Sequence, residues 1–167
     1  GDTYISINGG KTVTIDSLFN ADMPEDKLIP INGLFVETEH GYKEVSHLYT
    51  KTVDITYSIT TEVGISIRGT VIHPLLVYNP DGSKEWKNMH DIKEGDHLCI
   101  PRDQNLVHDI FPNLISCDVP EWLVTPVITK TLIKARVRVY DICVPSTSSF
   151  LANGIISHNT ASTAYIV

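Results

Sequence analysis

Ala152-Asn153-Gly154-Ile155-Ile156-Ser157-His158-Asn159-Thr160 is the stretch whose reading decides what this chain is and how it folds. An asparagine followed at once by a hydroxyl residue, and preceded by a histidine after an apolar run, suits cleavage of the backbone by its own side chain. The Asn159 amide nitrogen can attack its own carbonyl carbon, close a five-membered succinimide and expel the next amide. His158 can polarise that carbonyl or give the departing nitrogen a proton. Thr160 carries an oxygen nucleophile able to accept an acyl group. Taken alone, the same residues also suit a surface turn, and the rest of the chain has to decide between the two.

Outward from that stretch, strand signals dominate. Alternation and β-branched enrichment recur in Thr3–Ile7, Lys11–Ile15, Val53–Ile59, Gly64–Ile67, Leu75–Tyr78 and Lys134–Val144. Turn punctuation separates them at Asn8-Gly9-Gly10, Asn32-Gly33, His40-Gly41, Asn79-Pro80-Asp81-Gly82 and Glu94-Gly95-Asp96. Asp16–Phe19 and Asn88–Ile92 each fit a single helical turn with a polar cap. The sequence predicts an all-β chain of many short strands. A Gly hairpin, a Lys-bearing strand and a short turn recur at Ile7–Leu18 and Pro80–Ile92, and more faintly from Gly41, as a duplicated β-fold would show. Residues 23–30 and 103–120 read as loops.

The bulk numbers bound the function. At 167 residues, 42% of them hydrophobic, the chain can bury one sizeable core, hiding roughly 70% of its unfolded surface. A net charge of −7 argues against coating nucleic acid. The densest basic group, Lys130, Lys134, Arg136 and Arg138, reads as a solvated strand face. No apolar stretch is long enough for a membrane span, and Gly1-Asp2-Thr3 does not open a signal peptide. Cys99, Cys117 and Cys143 form neither a zinc pattern nor a disulfide set, so a reducing cytoplasm is expected. His90, His97 and Cys99 lack a fourth metal ligand at a usual spacing. No metal or cofactor is called for, because every step considered is acyl transfer or cyclisation.

Two further segments carry chemistry. Gly69-Thr70-Val71-Ile72-His73-Pro74 follows a strand, and a Thr and a His three apart at such a junction can address one backbone amide. The imidazole can donate to a departing nitrogen, while the Thr70 hydroxyl and nearby N–H groups stabilise an oxyanion. A capped turn with a partly buried histidine has the same pattern. In Arg138-Val139-Tyr140-Asp141-Ile142-Cys143-Val144 an acid sits within an apolar strand, where an unpaired carboxylate is costly. Asp141 either forms a salt link to Arg136 or Arg138, or orients a nucleophile and shuttles a proton.

Together these segments resemble an intein, the self-splicing element of the Hint (Hedgehog/intein) superfamily, over nearly the whole chain. Gly1–Ile5 with the Gly9-Gly10 hairpin and Ile15–Phe19 is similar to the family's first block, and Thr70-Val71-Ile72-His73 to its Thr-x-x-His block. Met89–Leu98 resembles the stretch that follows, and Arg138–Gly154 with Ile155–Asn159 the two closing blocks. The resemblance implies a flat β-horseshoe with pseudo-two-fold symmetry. It implies four steps: an acyl shift to an N-terminal Cys or Ser, transfer to the first downstream residue, Asn cyclisation, and rearrangement of the ester to a peptide bond. By carry-over, Thr70 and His73 activate the upstream junction, Asp141 assists transfer, His158 assists Asn159, and Thr160 opens the downstream flanking sequence, or extein. Residues 1–159 would be the splicing domain and 160–167 an extein remnant.

Departures from the pattern set further expectations. The N-terminal nucleophile belongs about three positions ahead of Gly1, and glycine cannot replace it, so this chain is expected to lack the first acyl shift while still cleaving after Asn159. Ser148 or Ser149 stands where a histidine is usual. The space between Leu98 and Leu132 holds no homing endonuclease, as in a mini-intein. Thr160–Val167 has a faint likeness to the Thr-Asp-Ser site of phage-type family B DNA polymerases, with Ala161 in place of the acid. The segment after a phosphate-binding loop in a viral packaging ATPase is the second host reading. Met23 could begin a separately made piece, which would add a complementary split fragment to the partners. Otherwise the partners are the chain's own exteins, with no nucleic acid and no membrane, around a cytoplasmic monomer. The rival class is an all-β interaction module whose Asn-Thr turn is incidental. A sterol transferase of Hedgehog type lacks its sterol-binding extension and leaves the terminal Asn unexplained.

Overall fold

The computed structural model describes residues 3–101, 104, 122–158 and 166–167. Among these there is no α-helix, and no helix is long and apolar enough to cross a membrane. Thirteen strands are present: β1 Tyr4–Ile7, β2 Lys11–Thr14, β3 Ile29–Pro30, β4 Phe35–Thr38, β5 Gly41–Glu44, β6 His47–Thr61, β7 Ser66–Gly69, β8 Pro74–Tyr78, β9 Lys84–Asn88, β10 His97–Pro101, β11 Trp122–Cys143, β12 Ser149–Ala152 and β13 Ile155–His158. A single 3-10 turn, Ile15–Leu18, follows β2. The second expected helical turn, after Asn88, is a hydrogen-bonded turn instead. Asp91 and Ile92 both donate to the Asn88 carbonyl, at 2.8 and 3.1 Å.

The strands form a four-stranded sheet in the order β2-β1-β4-β5 and a nine-stranded sheet in the order β12-β13-β8-β10-β11-β6-β3, with β7 beside β6 and β9 beside β8. All pairings between these strands are antiparallel. The repeated hairpins of the sequence are real. Asn8–Gly10 joins β1 to β2, Glu39-His40 joins β4 to β5, and Asn79–Ser83 joins β8 to β9. The architecture is all-β, built from antiparallel hairpins.

Two strands are far longer than their sequence signals. β6 runs for 15 residues and β11 for 22. They pair from Val127↔Thr61 to Cys143↔His47, with register shifts between Val127 and Thr129 and between Lys134 and Val137. Such bulges bend a ribbon and increase its twist, which lets one pair of strands serve the core at both ends. The middle is exposed and mixes Asp54, Lys134 and Arg136 with apolar residues, and the signals at Val53–Ile59 and Lys134–Val144 mark only part of each strand.

Ile5, Ile15, Val36, Leu48, Ile59, Leu75, Leu98, Phe150 and Ile155 are fully buried in one cluster that both sheets share. At roughly 25 cal/mol per Å² of apolar surface removed from water, this cluster is the main stabilising term. The basic face expected to be solvated is partly a set of anchors. Lys130 Nζ donates to the carbonyls of His90 and Ile92 at 2.5 and 2.8 Å. Arg138 donates through Nε to Thr50 at 2.9 Å and through its terminal nitrogens to the carbonyls of Asn20 and Met23. Residues 103–120, read as a loop, lie outside the described residues apart from Gln104.

Candidate functional site

Thr70–His73 forms the tight link from β7 to β8. Its turn is closed by His73 N–H donating to the Thr70 carbonyl at 3.0 Å. A second turn holds it from behind. His90 N–H donates to the Val71 carbonyl at 2.8 Å and Met89 N–H to the His73 carbonyl at 2.9 Å. Lys130 in turn clamps the His90 and Ile92 carbonyls. Pro74 then fixes the chain direction into β8. Thr70 borders a groove of about 390 Å³ between Lys51–Ile55 of β6 and the turn itself.

This clamping leaves the His73 ring 0% exposed, and neither ring nitrogen has a hydrogen-bond partner among the described residues. Loss of hydration, with a smaller repulsion from His158, pushes its pKa down to about 3. The imidazole is therefore neutral at physiological pH, with both ring nitrogens buried and unpartnered among the described residues. Burying such a group unpartnered costs about 1–3 kcal/mol, a cost that selection tolerates where the donor has a task.

His158 ends β13. Its ring stacks edge-on against Trp86, with centroids 4.9 Å apart. Its Nδ1 is buried without a described partner, and desolvation lowers its pKa. β13 pairs with β8 at Ser157↔Leu75, which brings His158 of the closing strand to the side of the central turn that ends at His73, 85 residues earlier in sequence.

Asp141 is 2% exposed and accepts a hydrogen bond from the Ile142 N–H at 2.9 Å. The expected salt link to Arg136 or Arg138 is not formed. Arg138 is engaged by Thr50 and two backbone carbonyls, and no described ion pair includes Asp141. Desolvation outweighs the Ile142 bond and pushes its pKa well above the usual carboxylate range. Asp141 follows Tyr140 as Thr70 follows Gly69, and Tyr140 and Gly69 both bridge to Ile166. These two site residues thus flank one short piece of chain.

Asn159 and Thr160 lie outside the described residues. Their neighbours are well placed. Thr3 donates from Oγ1 to the Val167 carbonyl at 2.5 Å, and Tyr4 N–H donates to Asn153 Oδ1 at 2.7 Å. The Asn153 N–H donates back to the Tyr4 carbonyl at 2.9 Å, and its Nδ2 to the Ser66 carbonyl at 2.6 Å. One side chain thus ties β1, β7 and the β12–β13 turn together. Asn153 and Gly154 have φ of +50° and +84°, the pair of left-handed residues that a two-residue type I′ hairpin requires. The sequence reading did not single out this residue, although an Asn-Gly pair between apolar residues is a direct hairpin signal. Ser149 pairs with His158 across that hairpin, and its hydroxyl donates to Glu39 at 3.2 Å.

Two desolvated histidines, a buried acid and the meeting of Thr3 with Val167 suit a domain that acts on its own backbone. The comparisons agree. Residues 5–159 match the family model described as the intein splicing domain. An alignment of 137 residues that covers 74% of the chain is 36% identical to the replication factor C small subunit of Pyrococcus furiosus and covers 14% of that protein. A 102-residue stretch is 30% identical to the replicative DNA helicase DnaB of Rhodothermus marinus, covering 10% of it. Among solved structures, the Ssp DnaB mini-intein variant M86 aligns over 100% of this chain and 92% of its own, with TM-score 0.69 and 24% identity. The transcription factor IIB Mvu mini-intein gives TM-score 0.71 at 18% identity over 94% and 96%. The chain belongs to the intein splicing domain family. It is an autocatalytic element that excises itself and joins its flanking exteins.

Proposed function

We propose that splicing runs through Thr70, His73, Asp141, His158, Asn159 and Thr160, with residues 1–159 the splicing domain and 160–167 the start of the downstream extein. A Cys or Ser ahead of Gly1, as the family resemblance requires, attacks the upstream carbonyl carbon; His73 passes a proton to the departing nitrogen and takes up the nucleophile's proton, while Thr70 steadies the oxyanion. Asp141, whose burial favours the protonated carboxyl, gives its proton to the departing sulfur or oxygen of that Cys or Ser and takes the Thr160 hydroxyl proton as Thr160 attacks the acyl carbon. Asn159 Nδ2 then attacks the Asn159 carbonyl carbon. The bond to the Thr160 nitrogen breaks, and His158 carries the released proton to that nitrogen. A succinimide and a free Thr160 amine remain, and the amine takes the acyl group from the Thr160 oxygen to complete the peptide.

The observation that carries this reading is that β13 pairs with β8 and so brings His158 beside the turn holding the fully buried His73, while Thr70 and Asp141 each follow a residue that bridges to Ile166. Nδ1 of both rings is buried without a partner among the described residues, which an incidental turn does not call for. Incubation followed by intact-mass measurement tests it. Loss of Thr160–Val167 is expected, abolished by Asn159→Ala and slowed about 100-fold by His158→Ala. An unchanging mass in every variant would return the chain to the interaction-module reading, which the family match does not favour.

The host is proposed to be a replication or packaging ATPase rather than a phage family B polymerase. Thr160-Ala161-Ser162 lacks the acid of the polymerase site, and Thr160 suits the hydroxyl that follows Gly-Lys in a phosphate-binding loop. A cytoplasmic monomer fits the net charge of −7 and the free, buried Cys99. A split form, with a complementary fragment as partner, is a further reading that Met23 would test.

A further inference from the structure

The two chain-end residues Ile166 and Val167 occupy a slot that nothing in the splicing chemistry requires. Ile166 forms antiparallel bridges to Gly69 of β7 on one side and Tyr140 of β11 on the other. Its N–H donates to the Tyr140 carbonyl at 3.0 Å, and Tyr140 N–H donates to its carbonyl at 2.7 Å. Val167 N–H donates to the Arg68 carbonyl at 2.9 Å, and Thr3 Oγ1 closes the end on the Val167 carbonyl at 2.5 Å. Every polar backbone group of this dipeptide for which a described bond exists is thus met by β7, β11 or Thr3.

The side chains are engulfed as well. Ile166 is 0% exposed and belongs to the main core cluster, while Val167 is 4% exposed and packs on Val139. A strand laid along a sheet edge usually gains affinity from its backbone and leaves alternate side chains in solvent. Here both successive side chains are enclosed, so the slot reads side-chain identity as well as extended backbone. β-branched residues suit it, because they favour the extended conformation and fill a pleated pocket.

We propose that the slot between β7 and β11 is a recognition site for the downstream flanking segment, reading an extended pair of β-branched aliphatic residues seven and eight positions past Asn159. This rests on the reading of 160–167 as extein. The site gives the domain a sequence requirement well beyond the junction. It also anchors the downstream segment next to Thr70 and Asp141, and it retains the released peptide after cleavage.

Hydrogen exchange resolved by residue, on the full chain carrying Asn159→Ala so that it stays intact, tests the slot without any need for splicing. The Tyr140 and Ile166 amides should be protected. Adding Ile166→Asp should speed Tyr140 exchange at least about 10-fold and leave Val13 and Leu151 unchanged, whereas Ile166→Val should keep the protection. Tyr140 exchange within twofold of the parent in Ile166→Asp overturns the proposal. Should Ile166→Asp raise exchange everywhere, the milder Ile166→Ala decides: a rise confined to Tyr140 and its slot neighbours supports the site, and none overturns it. With Asn159 restored, native mass spectrometry should find the cleaved peptide still bound, and bound at least 10-fold less with Ile166→Asp. A chain that never cleaves sinks the extein reading alone, because the exchange result is independent of it.

Discussion

His73 shows how little separates a structural from a chemical residue. Its identity was legible from Thr-x-x-His spacing, but its neutrality was not, because the pKa depends on the His90 and Lys130 contacts that seal the turn. His73→Ala is therefore expected to slow upstream cleavage at least about 100-fold. Because His73 also faces His158, it should alter the pH dependence of Asn159 cyclisation, which a pH–rate profile of tail release checks. If the profile is unchanged, the two rings are not coupled. Asn153 is the opposite case, silent in the functional reading and central in the structure. Asn153→Ala loses bonds to Tyr4 and Ser66 and places alanine at a φ of +50°. At about 1 kcal/mol per bond and 1–2 for left-handed backbone, a loss of roughly 3 kcal/mol is expected in urea unfolding. Asn153→Gly should recover about 1–2 of it.

Among the elements, the Met89–Ile92 turn is the one whose role only packing reveals. Read from sequence it is a short helical turn; in the fold it is a brace behind Val71 and His73, and it is itself held by Lys130 from β11. Lys130→Met should remove the ammonium that lies over the Tyr57 ring and release both carbonyls. The expected result is faster amide exchange at Met89 and His90, slower upstream cleavage, and only about 1 kcal/mol of lost global stability, since the ammonium is partly solvated. Unchanged exchange at those two amides would show the brace to be unimportant. β12 and β13 illustrate what periodicity misses. Ser149–Ala152 and Ile155–Ser157 are buried on both faces, so they read as a continuous apolar run rather than an alternating strand. β11 is half legible: Lys134–Val144 reads as a strand, whereas the run from Trp122 that precedes it does not.

Across the whole molecule, two buried groups oppose each other as pH changes. His73 has a folded pKa near 3 against 6.5 unfolded. Between those values the unfolded chain binds the extra proton, so stability rises with pH, by up to about 1.4 kcal/mol per unit. Asp141 has a folded pKa raised well above 3.8. Above 3.8 the folded chain keeps a proton that the unfolded chain has lost, so this contribution falls as pH rises. The two slopes oppose each other above pH 3.8, so urea midpoints are expected to rise less steeply with pH there than His73 alone would give. Asp141→Asn should unmask the histidine slope, steepening the loss of stability below pH 6.5. His73→Gln should unmask the opposite one. A profile that keeps its shape in both variants would contradict these protonation states.

The amino-acid sequence by itself determined the all-β class, the hairpin repeat and the identity of the reactive residue types. Those properties are local: alternation, turn chemistry and the nucleophile–leaving group relation at Asn159-Thr160 are all written within a few residues. Tertiary structure alone decided that Asp141 is a buried acid without its expected arginine, that Asn153 joins three strands, and that Ile166 completes a slot. Each of these depends on which distant surfaces exclude water from one another. Desolvation and long-range backbone pairing leave no periodic trace along the chain.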